Sequence, residues 1–239
     1  MSPDSTDYKS LLTDPDAFFR ERSESPSLKG PLAVVTLIAF LGSLATVVQN
    51  DTLVSALRPV IEDALANSSA NMTRSEADSA VNFAIQIYLA VSYGFALVGP
   101  YVVWLLYGVV FHAISAVFDS EGAFSRTMAF TGWGRVPAVF GSLVTLLVNY
   151  YQYEIRGVDV PTDVSAENAF QAVQQIQPPT SIVLLNGLLS IAFTLWAAYI
   201  WVYAMKHARS LTRRQALITI SIPVLVSLLL TLNNLTSAL

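Results

Sequence analysis

Charge is missing from this sequence in long blocks. No Asp, Glu, Lys or Arg occurs in residues 30–50, 79–118, 136–153, 168–205 or 215–239. The shortest block has 18 residues, and a helix needs about 20 to cross the hydrocarbon core of a bilayer. Inside that core every backbone N–H and C=O must be paired internally, which leaves helices and closed barrels. Apolar residues here run continuously instead of alternating, so helices are expected and a barrel is not. Charged residues make up 13% of the chain, against about 25% in soluble domains. The expected fold class is all-α: a polytopic membrane protein with five transmembrane helices and amphipathic interfacial helices.

The side on which basic residues fall decides the number of spans. The 40-residue block 79–118 is long enough for two short helices broken at Gly99-Pro100. With five spans and a cytoplasmic N-terminus, Lys9, Arg20, Arg22, Lys29, Arg126, Arg135, Lys206, Arg209, Arg213 and Arg214 face inward, and only Arg58, Arg74 and Arg156 face outward. A hairpin in 79–118 would turn the cluster KHARSLTRR at 206–214 outward, against the positive-inside rule. The spans are therefore expected near 31–49, 86–118, 136–152, 181–205 and 216–235. Pro100 should kink the second. Residues 1–30 read as a cytoplasmic segment with a short interfacial helix from Pro15, capped by Thr13 or Asp14, and residues 31–239 as one membrane domain with an external C-terminus. The apolar run begins only near Pro31, which suits an uncleaved first span better than a cleaved signal.

Two outer segments read as further helices. In DTLVSALRPVIEDALANSS, Leu53, Leu57, Ile61 and Leu65 share one helical face, as in a helix lying on a membrane. DVSAENAFQAVQQIQPP, residues 163–179, is a weaker second case. Glycosylation-type sequons occur at Asn67 and Asn71. Tyr150, Tyr151 and Tyr153 suit the outer interface, and Trp196, Tyr199, Trp201 and Tyr203 the inner one.

Groups capable of reactive chemistry are few. The chain has no cysteine, which excludes disulfides and thiolate chemistry. No carboxylate falls inside a predicted span, which argues against ion-coupled transport through a buried acid. His112 is the titratable group nearest a membrane interior, and its separation from His207 offers no metal-ligand spacing. Hydrolase, nucleotide-binding and zinc-protease motifs are missing. No catalytic residue, cofactor or metal site is expected, and the chain is not read as an enzyme. The basic cluster 206–214 is suited to anionic lipid headgroups as well as to setting topology.

Three polar-side pieces carry a family resemblance. The first is LLTDPDAFF, with Pro15 at a helix start and Phe18-Phe19 before the first span. The second is the connector EGAFSRTMAFTGWGRVP, residues 121–137. Here Ser125 and Thr127 are natural helix caps, Gly132 and Gly134 permit sharp backbone geometry, and Trp133 suits the headgroup layer. Pro137 fits the first turn of the next helix. The third is LWAAYIWVYAMKHARSLTRRQA, a Trp/Tyr-rich helix end followed by a basic turn. Together they resemble the Yip1 domain family in its prokaryotic branch. Arginine in excess of lysine, with 17 acids against 13 bases, suggests a salt-adapted, haloarchaeal-type source.

The resemblance implies an integral membrane protein of undefined role at the cell membrane. Eukaryotic members bind small GTPases, but their Asp-Leu-Tyr-Gly-Pro motif and long N-terminal arm have no counterpart here, so GTPase binding is not carried over. The expected role is a non-catalytic, membrane-organising scaffold. Its contact residues for a partner or lipid would be Pro15, Phe18, Phe19, Phe124, Gly132, Trp133, Pro137, Arg209, Arg213 and Arg214. Expected partners are membrane lipids and a protein partner or second copy of the chain, and no nucleic acid. A permease for a small neutral solute, with the second helix lining a path, is the alternative.

Overall fold

The computed structural model describes residues 5–68, 73–157 and 179–237. Those residues are helical, with short turns, and contain no strand. The helices are α1 (Ser5–Thr13), α2 (Pro15–Arg22), α3 (Lys29–Ser68), α4 (Arg74–Ala116), α5 (Phe124–Trp133), α6 (Val136–Asn149, continued as a π-helical stretch over Tyr150–Arg156), α7 (Thr180–Ala208) and α8 (Arg213–Thr236). Four of them, α3, α4, α7 and α8, are long and apolar enough to cross a membrane. A fifth crossing exists if α5 and α6, joined at a 42° bend, form one broken span. Large apolar side chains such as Phe95, Leu188, Leu229 and Leu230 lie exposed along these helices. Lipid would satisfy those faces, whereas water would not.

The block 79–118 lies in one helix, α4, up to its end at Ala116, with Pro100 inside it and no hairpin. Its start is earlier than the sequence suggested. Thr73 and Glu76 cap it reciprocally: the Thr73 N–H donates to Glu76 Oε2 at 2.7 Å and the Glu76 N–H to Thr73 Oγ1 at 3.3 Å.

The described residues group into two compact units. One is drawn from residues 40–97 and 143–182. Here the expectation of a span ending near residue 49, followed by a separate helix on the membrane surface, is corrected, because α3 runs on without a break. Asn50, one residue past the expected end, is buried inside the unit. Its Nδ2 donates to Ser92 Oγ at 3.1 Å, and its Oδ1 accepts from the Tyr88 hydroxyl at 3.0 Å. Leu53 and Leu57 are buried with Tyr153 of the π-helical stretch, so protein covers the apolar face that was expected to meet lipid. Beyond it, Arg58 binds Glu62, Asp78 and Asn82 at 2.6–2.8 Å, tying α3 to the start of α4. Residues 163–178 and Asn71 lie outside the described residues.

The other unit is drawn from residues 1–39, 98–142 and 183–239. Its core joins the N-terminal helices to α4, α5, α7 and α8 through Leu11, Phe18, Phe19, Phe111, Phe130, Trp133, Ile200, Trp201, Met205 and Ile220.

Candidate contact surface

The site is built by α2, α5 and the α7–α8 turn, all within the second unit. Helix α2 starts where the sequence places it. The Asp14 carboxylate accepts from the Ala17 N–H at 3.1 Å, and Pro15 takes the first turn, where no N–H is needed. Eight residues cannot hold a helix alone, so tertiary packing must do it. Phe18 is 1% exposed and Phe19 0%. The Phe18 ring meets Trp133 edge-on at 5.3 Å, and Phe19 packs on Phe130 at 4.9 Å. Arg22 stacks over the outer side of Phe18 at 3.9 Å and donates to the Phe18 carbonyl.

An ion-pair cluster fixes the same helix from the other end of the chain. Asp16 Oδ1 lies 2.7 Å from Lys206 Nζ and 2.7 Å from His207 Nε2. The hydrogen bond from Lys206, then that from His207, holds the Asp16 carboxyl below the usual carboxylate range.

Helix α5 is buried from Thr127 to Trp133. Two indoles reach its backbone: Trp104 Nε1 donates to the Met128 carbonyl and Trp201 Nε1 to the Thr131 carbonyl, each at 2.9 Å. The caps expected at Ser125 and Thr127 are not used. The helix starts after Ala123, and Thr127 is buried with its Oγ1 3.1 Å from His112 Nδ1. Gly132 and Gly134 also serve another purpose than a sharp turn. Neither has positive φ. A Cβ on Gly132 would lie 2.6 Å from Pro31 Cβ, and one on Gly134 would enter the Trp201 indole. Close approach of helices excludes a side chain at both. The connector glycine that the backbone does require is Gly122, with φ +116° and the Ala208 carbonyl oxygen where a Cβ would stand.

The basic turn divides into three parts. Lys206 and His207 hold α2, as described. Arg209, 4% exposed, is a structural clamp. Its guanidinium donates to Ser115 Oγ, to the carbonyls of Ser120 and Gly122, and to Ser120 Oγ, closing the α4–α5 loop onto α7. Arg213 and Arg214 open α8 and are exposed. Thr212 caps that helix through a reciprocal pair with Gln215.

Of the ten expected contact residues, Phe18, Phe19 and Trp133 come together, but as an internal cluster. Pro15, Gly132, Pro137 and Arg209 are also buried. Phe124 (40% exposed), Arg213 and Arg214 remain at the surface. Sequence reasoning missed Asp16 as the partner of the basic turn, since 190 residues separate it from Lys206. It also missed the two indole anchors of α5. Among the described residues, no group of three or more His, Cys, Asp or Glu could hold a metal ion.

Among the described residues, four to five helical stretches long and apolar enough to cross a membrane define a polytopic helical membrane protein. The Yip1 domain model matches residues 9–232, and the chain belongs to the Yip1 domain family. It is 30% identical over 145 residues to the uncharacterized protein MJ0794 of Methanocaldococcus jannaschii, an alignment covering 60% of this chain and 89% of that one. No solved structure matches the chain.

Proposed function

We propose that the protein is a non-catalytic scaffold of the cell membrane. It crosses five times, with its N-terminus in the cytoplasm and its C-terminus outside. The end built by α1–α2, α5 and the α7–α8 turn is a cytoplasmic contact surface for a protein partner or lipid headgroups. The observation that carries this reading is the docking of α2. Aromatic packing and the Asp16–Lys206–His207 cluster shape this end into a defined surface, and Phe124, Arg213 and Arg214 are left facing outward. An exposed aromatic together with two exposed arginines is a composition that suits a binding patch better than an inert turn. The acid-rich, arginine-over-lysine composition fits a salt-adapted source.

The test is purification in mild detergent of wild type and of a Phe124→Ser/Arg213→Gln/Arg214→Gln triple variant, followed by identification of what co-purifies. The expected result is loss of a partner or lipid class with folded yield unchanged. An unchanged set of co-purifying molecules would reject the contact surface.

A further inference from the structure

We propose that the groove between α7 and α8 is a binding site for one anionic phospholipid, with the phosphate on Arg213 and an acyl chain between the helices. This names the lipid for the contact surface proposed above and rests on that reading.

The groove is lined along α7 by Leu195, Ala198, Tyr199, Val202 and Tyr203, and along α8 by Arg213, Leu217 and Ile220. These positions repeat at three- and four-residue steps, so each helix gives one face to it. From Tyr203 to Leu195 the groove runs eight residues, about 12 Å at the helical rise. Its volume is about 230 Å³, below the roughly 300–1,000 Å³ of pockets that enclose compact small molecules. A narrow, elongated, apolar trough of this size suits an alkyl chain.

The rim supplies the polar end. Arg213 sits at the first turn of α8, 5.9 Å above the Tyr203 ring. Among the described residues no carboxylate or carbonyl takes a hydrogen bond from its guanidinium, so its forked donors are free for a phosphate. The rings of Tyr199 and Tyr203 meet at 5.3 Å beside it. Asp14, whose charge reaches Tyr199, is already engaged as the α2 cap. Arg213 is thus the cation that gives this rim its preference for an anion. Helices α7 and α8 both qualify as spans, so the trough opens onto acyl chains while Arg213 lies at a span end, at headgroup depth. That pairing of an apolar trough with a terminal cation matches a phospholipid and not a free anion.

The experiment is native mass spectrometry of the purified full chain, delipidated and then titrated in detergent with dioleoylphosphatidylglycerol or dioleoylphosphatidylcholine. One phosphatidylglycerol should bind about tenfold more tightly than phosphatidylcholine, the size expected of one charge-assisted contact. Arg213→Gln should abolish that preference. Arg214→Gln, next to it but outside the groove, should keep it. Ala198→Phe, which fills the trough, should weaken both lipids, with circular dichroism and thermal unfolding confirming the fold of each variant. Preference retained in Arg213→Gln, or lost equally in Arg214→Gln, would overturn the site in favour of diffuse surface charge. Displacement by inorganic phosphate as effective as by phosphatidylglycerol would overturn the lipid assignment. Because the protein is purified alone, failure here leaves the protein-partner form of the contact surface standing, and loss of that partner leaves this result unchanged.

Discussion

Replacing Phe19 with alanine should release the N-terminal helices from the membrane bundle. The ring is fully buried and touches the rings of Phe18 at 5.2 Å and Phe130 at 4.9 Å. Truncating a buried Phe to Ala costs about 3–5 kcal/mol, which includes roughly 0.5–1.5 kcal/mol for each well-placed aromatic pair. Helices α1 and α2 are nine and eight residues long and have little intrinsic stability, so the loss falls on their docking. A loss of about 3 kcal/mol shifts that equilibrium roughly a hundredfold. Phe19→Leu keeps most of the volume and should cost under about 1.5 kcal/mol. Hydrogen exchange in lipid nanodiscs reads the effect directly. Amides of residues 16–22 should exchange about a hundredfold faster in Phe19→Ala, a few-fold faster in Phe19→Leu, and at wild-type rates in α8. Unchanged protection of residues 16–22 in Phe19→Ala would mean that the helix rests on lipid and not on protein, and the packing argument would fail.

Three further outcomes follow from the same end of the molecule. Arg209→Lys should lower thermal stability in detergent by about 2–3 kcal/mol, because a single ammonium cannot reach Ser115, Ser120 and Gly122 together; a variant as stable as wild type would refute the clamp. Asp16 has a folded-state pKa below its ordinary value, so its stabilising contribution is complete above about pH 5 and is lost as pH falls below about 4. The gap in unfolding temperature between wild type and Asp16→Asn should close as pH falls below about 4, and a gap that widens over that range would contradict the ion-pair cluster. Gly134→Ala should destabilise by about 1–3 kcal/mol through overpacking against Trp201, and a neutral effect in the same melt would show that α5 and α7 are not in close contact.

The membrane helices were legible because the signal is one-dimensional: a charge-free block of sufficient length needs no partner to be recognised. The same reasoning misjudged α3, since an amphipathic stripe looks alike whether lipid or protein covers it. Leu53 and Leu57 meet Tyr153, about a hundred residues away in sequence. Phe18 and Phe19 posed the same ambiguity, and only the fold shows Trp133 and Phe130 against them. The helix start at Pro15 was readable because capping is local, and Asp14 fills that role. The glycines of the connector were noticed for the wrong reason. Freedom of φ can be inferred from a single chain position, but a close approach of Pro31 or Trp201 cannot. The basic turn read as one cluster, and burial then separated a clamp (Arg209) and a latch (Lys206, His207) from the exposed pair Arg213 and Arg214.

The central claim is a five-span chain with a cytoplasmic α7–α8 turn, and the side on which that turn lies tests it directly. The chain has no cysteine, and Ser75 and Ser210 are both exposed, so single Ser75→Cys and Ser210→Cys variants can be labelled in intact cells with a membrane-impermeant maleimide. If α5 and α6 form one broken span, Ser75→Cys reacts from outside and Ser210→Cys reacts only after the membrane is permeabilised. Reaction of both from outside would make the α5–α6 pair a re-entrant loop and reduce the spans to four. Reaction of Ser210→Cys alone would invert the orientation and put the contact surface outside the cell.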